Sequence, residues 1–71
     1  MNYESVKSSN LSEVAYDRGT STLGVRFKSG GEYEYLNVPE QVYRELISAP
    51  SVGSYFDANI KKAGYRFRQV R

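Results

Sequence analysis

The sequence predicts a small α+β domain in which a three-stranded antiparallel sheet is followed by two helices, in the order β-β-β-α-α. Two observations predict it. Apolar residues alternate with polar ones in the first half of the chain, as in half-buried strands, and recur at helical spacing in the second half. A chain of 71 residues also has room for little more than one sheet covered on one face by helices.

Three segments have strand character. "NLSEVAYD" (10–17) combines apolar residues with a turn signal at its end. "TLGVRFK" (22–28) alternates apolar and polar residues strictly, which is typical of a half-buried strand. "EYEYLNV" (32–38) follows two glycines that can take the positive φ angles of a hairpin loop, so we expect it to be the third strand.

The length of that hairpin loop decides where Tyr33 and Tyr35 point. A two-residue loop places both rings on the outer face, as a platform for stacking bases, but it buries Glu34 on the core face. A three-residue loop (29–31) moves each side chain of the third strand to the opposite face of the sheet. It puts both rings in the core and Glu34 outside, opposite Arg26. We favour this second register because burying an unpaired carboxylate costs several kcal/mol.

The second half of the chain predicts two helices. The first, over 39–49, begins at Pro39, whose missing N–H costs nothing at the first helical position. The second, over 52–63, has Ser51 as a candidate N-cap and Gly64 as the residue that closes it. The expected core joins the sheet to both helices through Leu23, Val25, Phe27, Tyr35, Val42, Leu46, Phe56 and Ile60.

The two ends of the chain are the least regular parts. Residues 1–6 are expected to form a loose arm before a single domain at 7–71, and the tail "YRFRQVR" either adds a short edge strand or stays loose. The N-terminus has no signal-peptide pattern, and no apolar run approaches the roughly 20 residues that span a bilayer. The absence of cysteine fits a reducing compartment. We therefore expect a cytoplasmic protein without a membrane partner.

The composition argues against catalysis. The chain contains no His and no Cys. The commonest general base, the usual zinc ligands, disulfides and thiol chemistry are therefore missing. Glu32 and Glu34 share one strand face, but two carboxylates without a third ligand make a poor metal site. We expect a non-catalytic protein without a metal or cofactor.

Charge is distributed unevenly along the chain. Residues 1–57 hold all eight acidic side chains and five basic ones, whereas residues 58–71 hold five basic side chains and no acid. Such asymmetry favours an anionic partner at the C-terminal end, although a solvated tail would have the same composition. The basic residues there are Lys61, Lys62, Arg66, Arg68 and Arg71.

The order of these features resembles the KTSC domain, a module found at the C-terminus of some lysyl-tRNA synthetases and as small stand-alone proteins in bacteria and phages. The resemblance covers roughly residues 8–66. Tyr33-Glu34-Tyr35 corresponds to the central Tyr-x-Tyr motif of the family and is followed by Val38-Pro39. "GSYFDANI" is similar to its closing element, with Asp57 where Asn is common. The synthetase association implies RNA as a ligand.

Two functions stay open at this point. The first is binding of nucleic acid, RNA rather than DNA, with phosphates contacted by the C-terminal cations and an unpaired base stacked on Tyr65 or Phe67. The second is a protein-interaction module, in which an exposed sheet edge pairs with another protein or with a second copy. The expected nucleic-acid-binding residues are Lys61, Lys62, Tyr65, Arg66 and Arg68.

Overall fold

The computed structural model describes all residues, 1–71, as an antiparallel sheet of five strands with two helices packed against one face. The strands lie in the sheet in the order β1-β2-β3-β4-β5. Their bounds are β1 Glu4–Ser5, β2 Leu11–Asp17, β3 Thr22–Phe27, β4 Glu32–Tyr35 and β5 Phe67–Gln69. The α+β class is confirmed, and the helices occupy the chain between β4 and β5 as expected.

The prediction of only three strands was wrong, because both ends of the chain join the sheet. In the N-terminal arm, Glu4 pairs with Val14 of β2. The arm is held by more than this short ladder, since the ring of Tyr3 lies 3.7 Å from the guanidinium carbon of Arg26. At the other end, β5 pairs with β4, so the tail is the edge strand rather than a loose segment.

The core lies between the sheet and the helices. Of the eight core residues expected from the sequence, six are buried, while Phe27 and Val42 pack against the core from partly exposed positions. A bulge between Leu11 and Glu13 brings Leu11 and Val14 to the same face although they are three residues apart. The fully assembled core contains Leu11, Val14, Leu23, Val25, Tyr35, Val38, Leu46, Val52, Phe56 and Ile60.

In the β3–β4 hairpin the tyrosines lie on the predicted face of the sheet, but each residue of β4 lies opposite a different residue of β3 than predicted. Tyr33 lies opposite Val25, on the face covered by the helices, as the three-residue loop predicts. The loop, however, is Lys28–Gly30, with Gly30 at a φ of 108°. Glu34 therefore lies opposite Gly24 instead of Arg26, and the predicted pair with Arg26 was wrong. Glu34 instead accepts two hydrogen bonds from Arg68 of β5, at 2.7 and 2.9 Å.

We expect Glu34→Ala to lower the free energy of unfolding by about 1 kcal/mol. Its partner Arg68 is 63% exposed, which screens the pair, although the Glu34 side chain is only 18% exposed. Urea denaturation of Glu34→Ala, Arg68→Ala and the double variant measures the coupling directly. A loss well above that value in Glu34→Ala alone would show that β5 depends on this ion pair.

Strand β4 ends earlier than the sequence predicts, at Tyr35. Asn37 takes a φ of 56°, in the left-handed region, and this bend turns the chain toward the first helix. Helix α1 spans Glu40–Ser48, and Pro39 is its N-cap in an extended conformation instead of its first residue. Only Leu46 of this helix is fully buried.

The second helix begins as predicted but changes form. Helix α2 spans Val52–Phe56, with the Ser51 hydroxyl accepting a hydrogen bond from the Ser54 N–H, and a π-helical turn over Asp57–Lys61 continues it. In this turn Ile60 is buried in the core, whereas Asn59 is exposed.

The two helices are joined at their exposed sides by a hydrogen bond. The Tyr55 hydroxyl donates to a carboxylate oxygen of Glu45 over 2.7 Å. Burial, with the hydrogen bond and charge of Glu45, raises the pKa of Tyr55 to about 12. No helix of the protein has the length and apolar character that crossing a membrane requires.

Candidate nucleic-acid interface

An open groove runs along the helix-covered face at the β4–β5 edge of the sheet. Because β5 is antiparallel to β4, Phe67 lies opposite Tyr35 and Gln69 lies opposite Tyr33. These residues share one face, and the π-helical turn brings Lys61 to the same groove. The groove thus joins the tyrosine strand to the C-terminal tail, two segments that are distant in the chain.

The aromatic rings of the groove form a connected series. Phe27 meets Tyr33 edge-on, with ring centroids 5.6 Å apart. Phe67 then contacts both tyrosines, at 6.0 Å from the Tyr33 centroid and 5.4 Å from that of Tyr35. Tyr35 in turn packs edge-on against Phe56 in the core. The exposed end of the series is therefore fixed to the interior by ring contacts.

Exposure separates the roles of these rings. Tyr35 is 5% exposed and belongs to the core, and burial, with the nearby Tyr33 hydroxyl, raises its pKa above the ordinary tyrosine value. Tyr33 is half-buried, whereas Phe67 is 58% exposed. An exposed phenylalanine against two tyrosines is an apolar surface to which a planar ligand has access.

The two predicted lysines lie where helix α2 and its π-helical turn end. Lys61 lines the groove, and Lys62 caps the turn. Both ammonium groups are exposed and lie close to Asp57, at 3.9 and 4.0 Å. These long, exposed contacts leave both lysines free to move to an anionic ligand.

The three predicted residues of the tail lie in different environments. Arg66 is exposed, makes no ion pair, and is anchored through its carbonyl, which accepts the Leu36 N–H at 2.8 Å. Arg68 points to the opposite face of the sheet, where it is bound to Glu34. Tyr65 is half-buried and packs against the core. The aromatic ring that the tail exposes is that of Phe67.

The outer face of the sheet has the opposite electrostatic character. Arg26 is held between two carboxylates there, with Glu13 at 2.9 Å and Glu32 at 3.1 Å. The Tyr3 ring covers its guanidinium, and Glu34 binds Arg68 on the same face. Arg26 and Arg68 are thus both paired with carboxylates on this face.

Most groove residues lie outside the predicted site, which shares only Lys61 with the groove. Tyr33 is predicted as a core residue, and no role is predicted for Gln69. The signal in the sequence that could have identified Gln69 is its spacing from Phe67, because residues two apart on an edge strand share a face.

Several known proteins resemble this chain. A family model described as KTSC domain matches residues 7–65. A lysine–tRNA ligase of Trichormus variabilis is 46% identical over 60 residues, which are 84% of this chain and 10% of the ligase. The lysine–tRNA ligase of Nostoc punctiforme is 38% identical over 60 residues, again 10% of its length. This chain therefore spans about a tenth of the length of these ligases.

Similar proteins of the same size also exist. An uncharacterized protein of Stutzerimonas stutzeri is 35% identical over 65 residues, which cover 92% of both chains. The crystal structure of a KTSC domain protein from Yersinia pestis superposes with a TM-score of 0.92 at 33% identity. That comparison covers 99% of this chain and 97% of the other.

Proposed function

Since the chain belongs to the KTSC domain family, we propose that it is a small binding module for single-stranded RNA, with the groove as its binding site. The observation that carries the proposal is the position of β5. This strand places the exposed ring of Phe67 beside Tyr33, and it brings the cation-rich end of the chain to the same edge of the sheet. Similarity to lysine–tRNA ligases, which act on an RNA, supports the choice of ligand.

The contacts divide into stacking and phosphate binding. An unpaired base stacks on the exposed face of Phe67, with Tyr33 behind it. Phosphates lie along the tail, where Arg66 and Arg71 flank β5 and neither forms an ion pair within the chain. Lys61 and Lys62 release Asp57 to contact the backbone, whereas Arg68 keeps its bond to Glu34 and fixes β5. Aromatic rings with flanking cations are typical of proteins that bind single strands.

The proposal predicts separate effects of the two kinds of contact. With a fluorescently labelled single-stranded RNA pool, Phe67→Ala should weaken binding about fivefold or more, since one stacked base contributes about 1–3 kcal/mol. The salt dependence should be unchanged, because no phosphate contact is lost. The combined replacement of Lys61, Arg66 and Arg71 by Ala should instead reduce the log–log salt slope by about 0.7 for each phosphate contact removed. Fluorescence anisotropy at several salt concentrations measures both effects.

Two matched controls lie elsewhere on the chain. Val70→Ala removes another exposed apolar side chain just after β5 and should bind as the parent does. Replacing Lys7, Arg18 and Arg44 by Ala removes as many cations as the triple variant, but none from the tail or the groove. The proposal is wrong if the parent binds no single-stranded pool at low salt, or if this control loses as much affinity as the tail variant.

A protein-interaction module is the second candidate. The outer edge of β5 has no neighbouring strand, since the sheet order ends there. Phe67 and Val70 also expose apolar surface at this edge. An added strand would pair with the free backbone groups of β5, as in other cases of strand addition. Binding of a peptide or a second copy without any RNA binding would favour this function.

A further inference from the structure

Two lysines of the proposed site share one acidic neighbour within the chain. From its position we infer that Asp57 is an internal competitor of the ligand, which attracts Lys61 and Lys62 in the free protein and weakens phosphate binding there. This inference rests on the proposed RNA-binding function and deepens it. It names a residue that limits the affinity of the site, although that residue contributes no favourable contact to the ligand.

The Asp57 carboxylate is approached by the two lysines through different oxygens. The Lys61 Nζ lies 3.9 Å from Oδ1, and the Lys62 Nζ lies 4.0 Å from Oδ2. Both distances are longer than a hydrogen bond, so the attraction is one of charge alone. The Asp57 side chain is 49% exposed, which screens that attraction. A phosphate that approaches the lysines therefore meets a carboxylate that repels it and that is only weakly bound to them.

The backbone keeps the acid and both lysines together. Asp57 is the first residue of the π-helical turn and Lys61 is the last, so the two lie about one turn apart. Lys62 follows the turn, and its N–H donates to the Asp57 carbonyl over 3.2 Å. The carboxylate thus stays beside the lysines whether or not a ligand is bound.

Asp57 differs in this respect from the other acids of the chain. Each of the others contacts residues that the proposed function does not use for phosphate binding; they are Glu4, Glu13, Asp17, Glu32, Glu34, Glu40 and Glu45. The pair of Glu34 with Arg68 is also closed at 2.7 Å, so it stays formed when a ligand binds. Asp57 is therefore the acid whose removal should release phosphate-binding cations.

Asp57→Asn tests the inference, since it removes the charge and keeps the shape of the side chain. With the fluorescently labelled single-stranded RNA pool, this variant should bind about threefold more tightly than the parent at low salt, as expected from the loss of weak exposed ion pairs. The gain should shrink as salt is raised, because salt screens the charge of Asp57. Fluorescence anisotropy measures both, and an unchanged urea midpoint shows that the fold is intact.

Two controls separate competition from a general effect of charge. Asp17→Asn makes the same change at the β2–β3 turn, outside the groove, and should alter affinity much less. When Lys61 and Lys62 are both replaced by Ala, Asp57→Asn should lose most of its gain, because no lysine then brings a phosphate to this position.

The inference is overturned if Asp57→Asn binds as the parent does, if Asp17→Asn gains as much, or if the gain is undiminished without the two lysines. In each of these cases the weakening by Phe67→Ala still supports RNA binding itself. No binding of single-stranded RNA by the parent overturns the inference and the proposed function together.

Discussion

Phe56→Ala should remove a large part of the protein's free energy of unfolding. The ring is 1% exposed and meets Phe27 and Tyr35 edge-on, with centroids 5.7 and 5.5 Å away. Truncating a buried phenylalanine costs about 3–5 kcal/mol. The whole free energy of unfolding of a domain this small is about 4–10 kcal/mol. The expected result is a urea midpoint far below that of the parent, measured by circular dichroism.

Phe67→Ala is the matched control, since it removes the same side chain from an exposed position. Its loss of stability should be much smaller, and its urea slope should equal that of the parent. Equal losses in the two variants would mean that Phe67 is as important to the core as Phe56. The exposure-based division between core rings and a ligand-accessible ring would then be wrong.

Leu46→Ala is the second change with a large expected effect. Leu46 is the fully buried residue of α1 and contacts the core, so its truncation should cost about 2–5 kcal/mol. The loss should appear both as a lower urea midpoint and as a lower melting temperature. This variant tests whether α1 is held to the sheet by its apolar face.

The neighbouring residue offers the control for that helix. Ile47 is 44% exposed, and Ile47→Ala changes the helix propensity at an adjacent position without opening a cavity. Its midpoint should stay close to that of the parent. If Leu46→Ala melts as the parent does, α1 is not packed through Leu46 and the described core is wrong.

Local patterns predicted the central part of the fold. The strict alternation of 22–28 identified β3, and the cost of burying Glu34 identified the face of the tyrosines. The same reasoning missed β1, because two residues are too few to show a period. It also missed the partner of Glu34. The hairpin loop begins one residue earlier than predicted, which changes the partner of each strand residue but not the face on which its side chain lies.

The candidate site depends on a pairing that the sequence does not show. The five cations after residue 57 are evident in the sequence, but the pairing of the tail with β4 is not. Without this pairing, Tyr33 and Phe67 belong to distant segments, and Arg68 looks as free as Arg66. Alternation places Phe67 and Arg68 on opposite faces of any strand, but only the register of β5 shows that Phe67 lies on the helix-covered face and Arg68 on the outer one. The partner of a strand that is distant in the chain leaves no local signal, because it depends on the whole fold.

The strand that completes the groove is the one farthest along the chain from the strand it pairs with. Strands β2, β3 and β4 are joined by short turns and can pair early, whereas β5 must wait for both helices. It contributes only three exposed residues to the sheet, so it can fray while the core stays folded. Any ligand of the groove therefore binds only the docked fraction of tails. Because the ligand binds the docked state more tightly than the undocked state, it also increases the fraction of tails that are docked.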